Sequence, residues 1–134
     1  MNLSIAICPS TPLLVPELGG EAAAETGELR AASVTVARSL PAQWIAIGVG
    51  DGQYHADMSG TFAGYGADVR VSLSDRMGKP AQLPLPVLIA GWLRSRAEAP
   101  TKPRYGLSVL LRMRWPSAGR CVVRSRGDRC RPAC

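Results

Sequence analysis

The sequence predicts an α/β domain with a mostly parallel central sheet. Three observations carry that reading. The first fifty residues run strand, loop, helix, strand, which is the order of a crossover unit with parallel strands. A long amphipathic helical pattern lies between the two strands. A second apolar helical stripe follows a third strand further on. The length, 134 residues, suits one domain, and 46% hydrophobic residues suffice for a core.

Residues 3–8 (Leu-Ser-Ile-Ala-Ile-Cys) form a short apolar run ended by Pro9, which reads as a buried strand. Residues 9–16 carry Pro9, Pro12 and Pro16, so they read as an ordered loop with an apolar centre. Residues 17–40 read as a helix, with Leu18, Ala22, Leu29, Ala32, Val36 and Leu40 on one face. Its acidic residues come first and Arg30 and Arg38 later, which complements the helix dipole. Gly27 costs about 1 kcal/mol there relative to Ala.

Residues 43–49 (Gln-Trp-Ile-Ala-Ile-Gly-Val) read as a second buried strand, followed by a tight turn at Gly50-Asp51-Gly52. Residues 53–67 are glycine-rich and read as irregular. In residues 68–73, Val69, Val71 and Leu73 alternate with Arg70 and Ser72, a strand with one wetter face. Residues 74–83 read as a polar loop. Residues 84–97 read as a helix started by proline, with a stripe of Leu85, Leu88, Ile89, Trp92 and Leu93. Residues 105–111 can form one more strand. The expected division is a domain over residues 1–111 and a basic Arg/Cys-rich tail over 112–134, expected to be disordered.

The formal charge of +6 divides sharply along the chain. Residues 1–100 hold seven Lys/Arg and nine Asp/Glu, a net of −2. Residues 101–134 hold nine Lys/Arg and one acid, a net of +8. Whole-chain basicity is therefore no sign of specific nucleic-acid recognition. The tail carries one aromatic residue, Trp115, and no recognition motif, so only non-specific phosphate attraction is expected. No stretch of about 18 apolar residues exists, so no membrane span is expected. The N-terminus lacks a signal-peptide pattern, so the expected compartment is the cytoplasm, where cysteines remain reduced. Cys121, Cys130 and Cys134 lack the paired spacing of a structural zinc site.

The remaining candidates lie near the strand ends. Asp51, His55 and Asp57 share one loop after the second strand, where α/β sheets place their sites. One His with two carboxylates can bind a divalent metal, and the same residues also read as a solvated polar loop. Gly48 to Gly52 meets neither the GxGxxG nor the P-loop spacing. Cys8 reads as an inert buried thiol, because no basic residue is near it in sequence. A Cys-His-Asp catalytic set would require Cys8 and His55 to meet across adjacent strands.

Three segments taken in order resemble a known family. They are Ile5-Ala-Ile-Cys-Pro-Ser-Thr-Pro-Leu-Leu-Val-Pro-Glu17, Trp44-Ile-Ala-Ile-Gly-Val-Gly-Asp-Gly52 and Gly60-Thr-Phe-Ala-Gly-Tyr-Gly-Ala-Asp68. Together they resemble the N-terminal half of the class III extradiol ring-cleavage dioxygenases, in the branch whose members look like the family's catalytic subunits. The most specific element is Pro-Leu-Leu-Val-Pro-Glu. The resemblance covers roughly residues 3–97 and implies a partial three-layer α/β domain.

Active members of that family open catechol rings with O₂ on Fe(II) held by two histidines and a glutamate. The resemblance places Ser10 where the first histidine belongs. It places Asp51, or Asp57 if the loop is shifted, at the second. The glutamate belongs to the distal half of the family domain, which has no counterpart in this sequence. The expectation is therefore a truncated, non-catalytic relative, with no cofactor, or Fe(II) if the family chemistry survives. A ring-cleaving enzyme with a non-standard metal site at Asp51 and His55 is the alternative in the same fold. An interaction module whose basic tail binds polyanions is the alternative from another class. An incomplete sheet also predicts self-association through an exposed edge.

Overall fold

The computed structural model describes residues 4–41, 44–74 and 76–97, and the backbone of 108–112. The expectations for residues 113–134, including Trp115 and the three tail cysteines, lie outside the described residues. Helices and small mixed sheets make up an α/β fold. Among the described residues, no helix is long and apolar enough to cross a membrane.

The proline-rich loop is ordered by its own residues. The Thr11 hydroxyl accepts from the Leu13 amide at 3.3 Å, which starts a 3₁₀ turn over Pro12–Leu14. Pro16 then opens a one-turn helix, α1 (Pro16–Gly19), where its missing N–H costs nothing. The helix predicted over residues 17–40 does not run unbroken. Gly20 has φ 50°, outside the helical region, and a 3₁₀ turn over Gly20–Ala23 follows. The long helix α2 spans Gly27–Ser39. The adjacent Gly19 and Gly20 break the helical pattern, and Gly27 opens the second piece rather than sitting inside one helix.

The N-terminal run does not form the predicted strand. Residues 4–10 have neither strand nor helix, and Ile5 and Ile7 are 77% and 94% exposed. One side of the second predicted strand pairs with a segment from much later in the chain. Strand β1 (Ile45–Gly48) pairs in parallel with β6 (Ser108–Arg112), setting Ile45 opposite Ser108 and Gly48 opposite Leu111. On the other side of β6 lies β2 (Asp51–Tyr54), antiparallel, with Gln53 opposite Leu110. The order is β1-β6-β2, so β6 separates two strands that are neighbours in sequence.

That order explains the glycines. The connection from Gly48 to Asp51 spans two strand spacings, about 9.5 Å. Three Cα steps cover at most about 10–11 Å, so the link is almost fully stretched. Gly50 and Gly52 take φ 149° and 114°, which favour glycine. The expected tight turn is thus an extended bridge over the end of β6.

The second sheet holds β3 (Met58–Thr61), β4 (Arg70–Ser72) and β5 (Lys79–Pro80) in the order β4-β3-β5. β3 pairs antiparallel with β4 and parallel with β5. β3 falls in the stretch expected to be irregular and β5 in the one expected to be a polar loop. Each sheet is mixed, with one parallel and one antiparallel pairing, where a mostly parallel sheet was expected.

Helix α3 (Leu85–Ala97) matches its prediction within one residue. Leu88, Ile89, Trp92 and Leu93 of the predicted stripe are buried, and so are Val87, Gly91 and Arg94. The helix is covered over more than one face because Val71 and Leu73 of the β4 region, Phe62 and the loop residues Leu14 and Val15 all join its cluster. Glycines allow the close approach. A Cβ on Gly91 would lie 3.1 Å from Leu73 Cδ2. A Cβ on Gly60 would lie 2.9 Å from Leu83 Cγ and 3.0 Å from Leu88 Cδ2. Overpacking of this kind costs about 1–3 kcal/mol. Gly60→Ala is therefore expected to lower the urea midpoint by an amount in that range with an unchanged slope. An unchanged midpoint would show that Leu83 yields freely.

Candidate functional site

Cys8 is half-buried and packs against the core cluster. Burial pushes its thiol up from the ordinary value, because the thiolate is the form that loses solvation. Ser10, two residues on, is exposed. The two residues therefore sit on one extended segment with different surroundings.

Asp51 was expected in a turn at the carboxyl end of a strand. It instead begins β2, exposed, in register with Arg112 of β6. His55 follows β2 directly and is also exposed. Its carbonyl accepts from the Met58 amide at 3.1 Å, closing the turn that carries Asp57. The Asp57 carbonyl accepts from the Lys79 amide at 2.7 Å, so its backbone belongs to the β3–β5 ladder while its side chain faces solvent. Among the described residues, no three His, Cys, Asp or Glu side chains gather in a way that could hold a metal ion.

The chemistry of the available donors leads the same way. Iron(II) of the extradiol type needs two imidazoles and a carboxylate on one face. A serine hydroxyl at position 10 and a carboxylate at position 51 do not supply that set. His55 adds one imidazole and leaves the set incomplete. These residues do not supply the iron-binding set that the resemblance implies.

The structure shows a feature that the sequence reading did not single out. An open groove of ≈ 280 Å³ lies along the second sheet, lined by Ser59, Thr61, Asp68 and Arg70 with Met77 and Pro80. The Thr61 hydroxyl donates to Asp68 Oδ1 at 2.7 Å and accepts from the Ala63 amide at 3.1 Å. Arg70 lies 3.7 Å from Asp68 Oδ2, with both side chains largely exposed. An ion pair so exposed contributes about 0–1 kcal/mol. The Ser59 hydroxyl donates to the Gly78 carbonyl at 2.9 Å. These hydroxyls brace the sheet and its turns. The signal for this wall was the alternation of residues 68–73, which set Arg70 and Ser72 on the wetter face.

Fold and site together describe a small α/β protein whose polar strand ends are open to solvent. No family model matches the chain, and no curated protein or solved structure matches it.

The raised Cys8 thiol has two consequences. In a variant with Cys121, Cys130 and Cys134 replaced by Ser, iodoacetamide is expected to modify Cys8 more slowly in the folded chain than in urea. A thiol whose pKa is raised on folding holds its proton more tightly in the native state. Its contribution to stability is therefore complete below the ordinary thiol range and is lost as pH rises through the raised value. Faster modification in the folded state would contradict the assignment.

Proposed function

We propose that this chain is a truncated, non-catalytic relative of the class III extradiol dioxygenases, cytoplasmic, keeping part of a three-layer α/β scaffold. Interruption of the family domain near residue 112 is part of that proposal, supported by the change in composition and charge there. The observation that carries the loss of chemistry is the pair Ser10 and Asp51. They stand at the two positions where the resemblance calls for histidine, and both are exposed. The scaffold half of the reading is supported by the Pro-Leu-Leu-Val-Pro-Glu loop. Its Leu14 and Val15 are fully buried in the main cluster, so that motif works here as a packing element.

Anaerobic titration with Fe(II), followed by catechol and O₂, tests the proposal. The expected outcome is no stoichiometric binding, no ring-opened product and no rise in the thermal midpoint with Fe(II), since only a ligand that binds the native state raises it. One-to-one binding that disappears in His55→Ala would overturn the proposal in favour of a metal site at Asp51 and His55.

A further inference from the structure

Of the five aspartates in the sequence, Asp51 alone is followed by glycine, whereas Asp57, Asp68, Asp75 and Asp128 precede Met, Val, Arg and Arg. An aspartyl carboxyl can react with the main-chain nitrogen of the next residue to close a five-membered ring. A glycine there has no Cβ to shield that nitrogen and leaves the backbone free to turn toward the carboxyl. The structure adds three conditions to this pair. Asp51 and Gly52 are both exposed. Gly50 and Gly52, on either side of Asp51, take φ 149° and 114°, so neither neighbour of the carboxyl carries a Cβ. Asp51 is also the first residue of β2, whose one ladder among the described residues is with β6. The end of such a strand opens locally at a free energy below that of global unfolding.

We propose that Asp51–Gly52 is a modification site at which Asp51 isomerises to isoaspartate, and that the product releases β2 from β6. The proposal does not rest on the functional reading above. The Gly52 nitrogen attacks Cγ of the protonated Asp51 carboxyl. A Cγ–N bond forms, a Cγ–O bond breaks, and the carboxyl OH and the amide hydrogen leave as water. The succinimide so formed carries no carboxylate and has lost the Gly52 N–H. Water then adds to one of its two carbonyls. Addition at Cγ restores aspartate. Addition at the main-chain carbonyl carbon of Asp51 breaks that carbon's bond to the Gly52 nitrogen, and the main chain then runs through Cβ and Cγ. One water leaves and one enters, so the step needs no oxidant or cofactor and the mass is unchanged.

The register sets the consequence. The ladder places Asp51 opposite Arg112 and Gly52 opposite Leu111. Isoaspartate inserts one more carbon between these positions, about 1.5 Å of bond length, so both pairs cannot be kept. The Asp51 carbonyl, which accepts from the Tyr54 hydroxyl at 3.4 Å, leaves the main chain as the new free carboxylate.

The full chain, held at physiological pH and temperature, tests this. The tryptic peptide of residues 39–70 is followed by mass spectrometry with electron-transfer fragmentation, which distinguishes isoaspartate from aspartate. Isoaspartate should accumulate at Asp51 ahead of Asp57 and Asp68 in the same peptide, preceded by a species lighter by one water. Urea should speed its formation, because β2 then no longer holds the Gly52 nitrogen away from the carboxyl. Asp51→Glu, which would require a six-membered ring, should abolish the product, and circular dichroism checks that this variant folds. In the isomerised fraction, amides 52–54 should exchange faster while amides 88–93 keep their protection. Absence of isoaspartate at position 51 in the native chain would overturn the proposal. So would equal accumulation at Asp57 or Asp68, a signal that survives Asp51→Glu, or amides 52–54 that exchange no faster after isomerisation.

Discussion

The seating of α3 on β3 and β4 is the constraint on which the rest of the structure depends. Val87, Leu88, Ile89, Trp92 and Leu93 are all buried in the main cluster. Full burial of an aliphatic side chain contributes about 1.5–3 kcal/mol, so this one helix supplies much of what holds a small domain together. The seating requires bare backbone at Gly91 on the helix and Gly60 on the strand, where a methyl group would press on Leu73, Leu83 and Leu88. At the far end the Arg96 guanidinium lies 5.3 Å from the Trp92 ring centroid and covers that side of the ring.

The proline-rich loop is held to this helix from the other side. Arg30 of α2 donates from Nε to the Leu14 carbonyl at 2.8 Å and from a terminal nitrogen to the Ala23 carbonyl at 2.9 Å. Thr26 donates to the Ala22 carbonyl at 3.2 Å and also reaches the Leu13 carbonyl at 3.1 Å. These bonds tie the proline-rich loop and the broken helical turn to the start of α2. They also press Leu14 and Val15 into the cluster around α3. The loop thus serves to close the core.

Features set by local pattern were legible in the sequence. The stripe of α3 and the alternation of Val71 and Leu73 against Arg70 and Ser72 come from spacing within one element, and the structure reproduces them. What depends on distant partners was not legible. Residues 3–8 and 43–49 read as adjacent buried strands because both are apolar throughout. The structure instead pairs β1 with β6 and leaves residues 4–10 without a strand, and Ile5, Ile7, Ile45 and Ile47 are exposed. Strands β2, β3 and β5 are short, rich in glycine or polar residues, and defined by their ladders rather than by any periodicity. The candidate site shows the same division. The sequence expected Cys8 and the loop of Asp51, His55 and Asp57 near strand ends, and Ser10 entered through the resemblance; residues 4–10 form no strand, so for Cys8 that expectation does not hold. Whether they converge depends on the sheet order, and the described residues form no metal-capable group.

Helix α3 is the organising element of the core, and native-state hydrogen exchange measures its role most directly. Amides 88–93 should exchange only through global unfolding, with the same free energy as denaturant unfolding, while amides 4–10 exchange rapidly. If α3 opened at lower free energy while β3 and β4 stayed protected, the helix would be peripheral, and the core would have to be organised by the sheet instead.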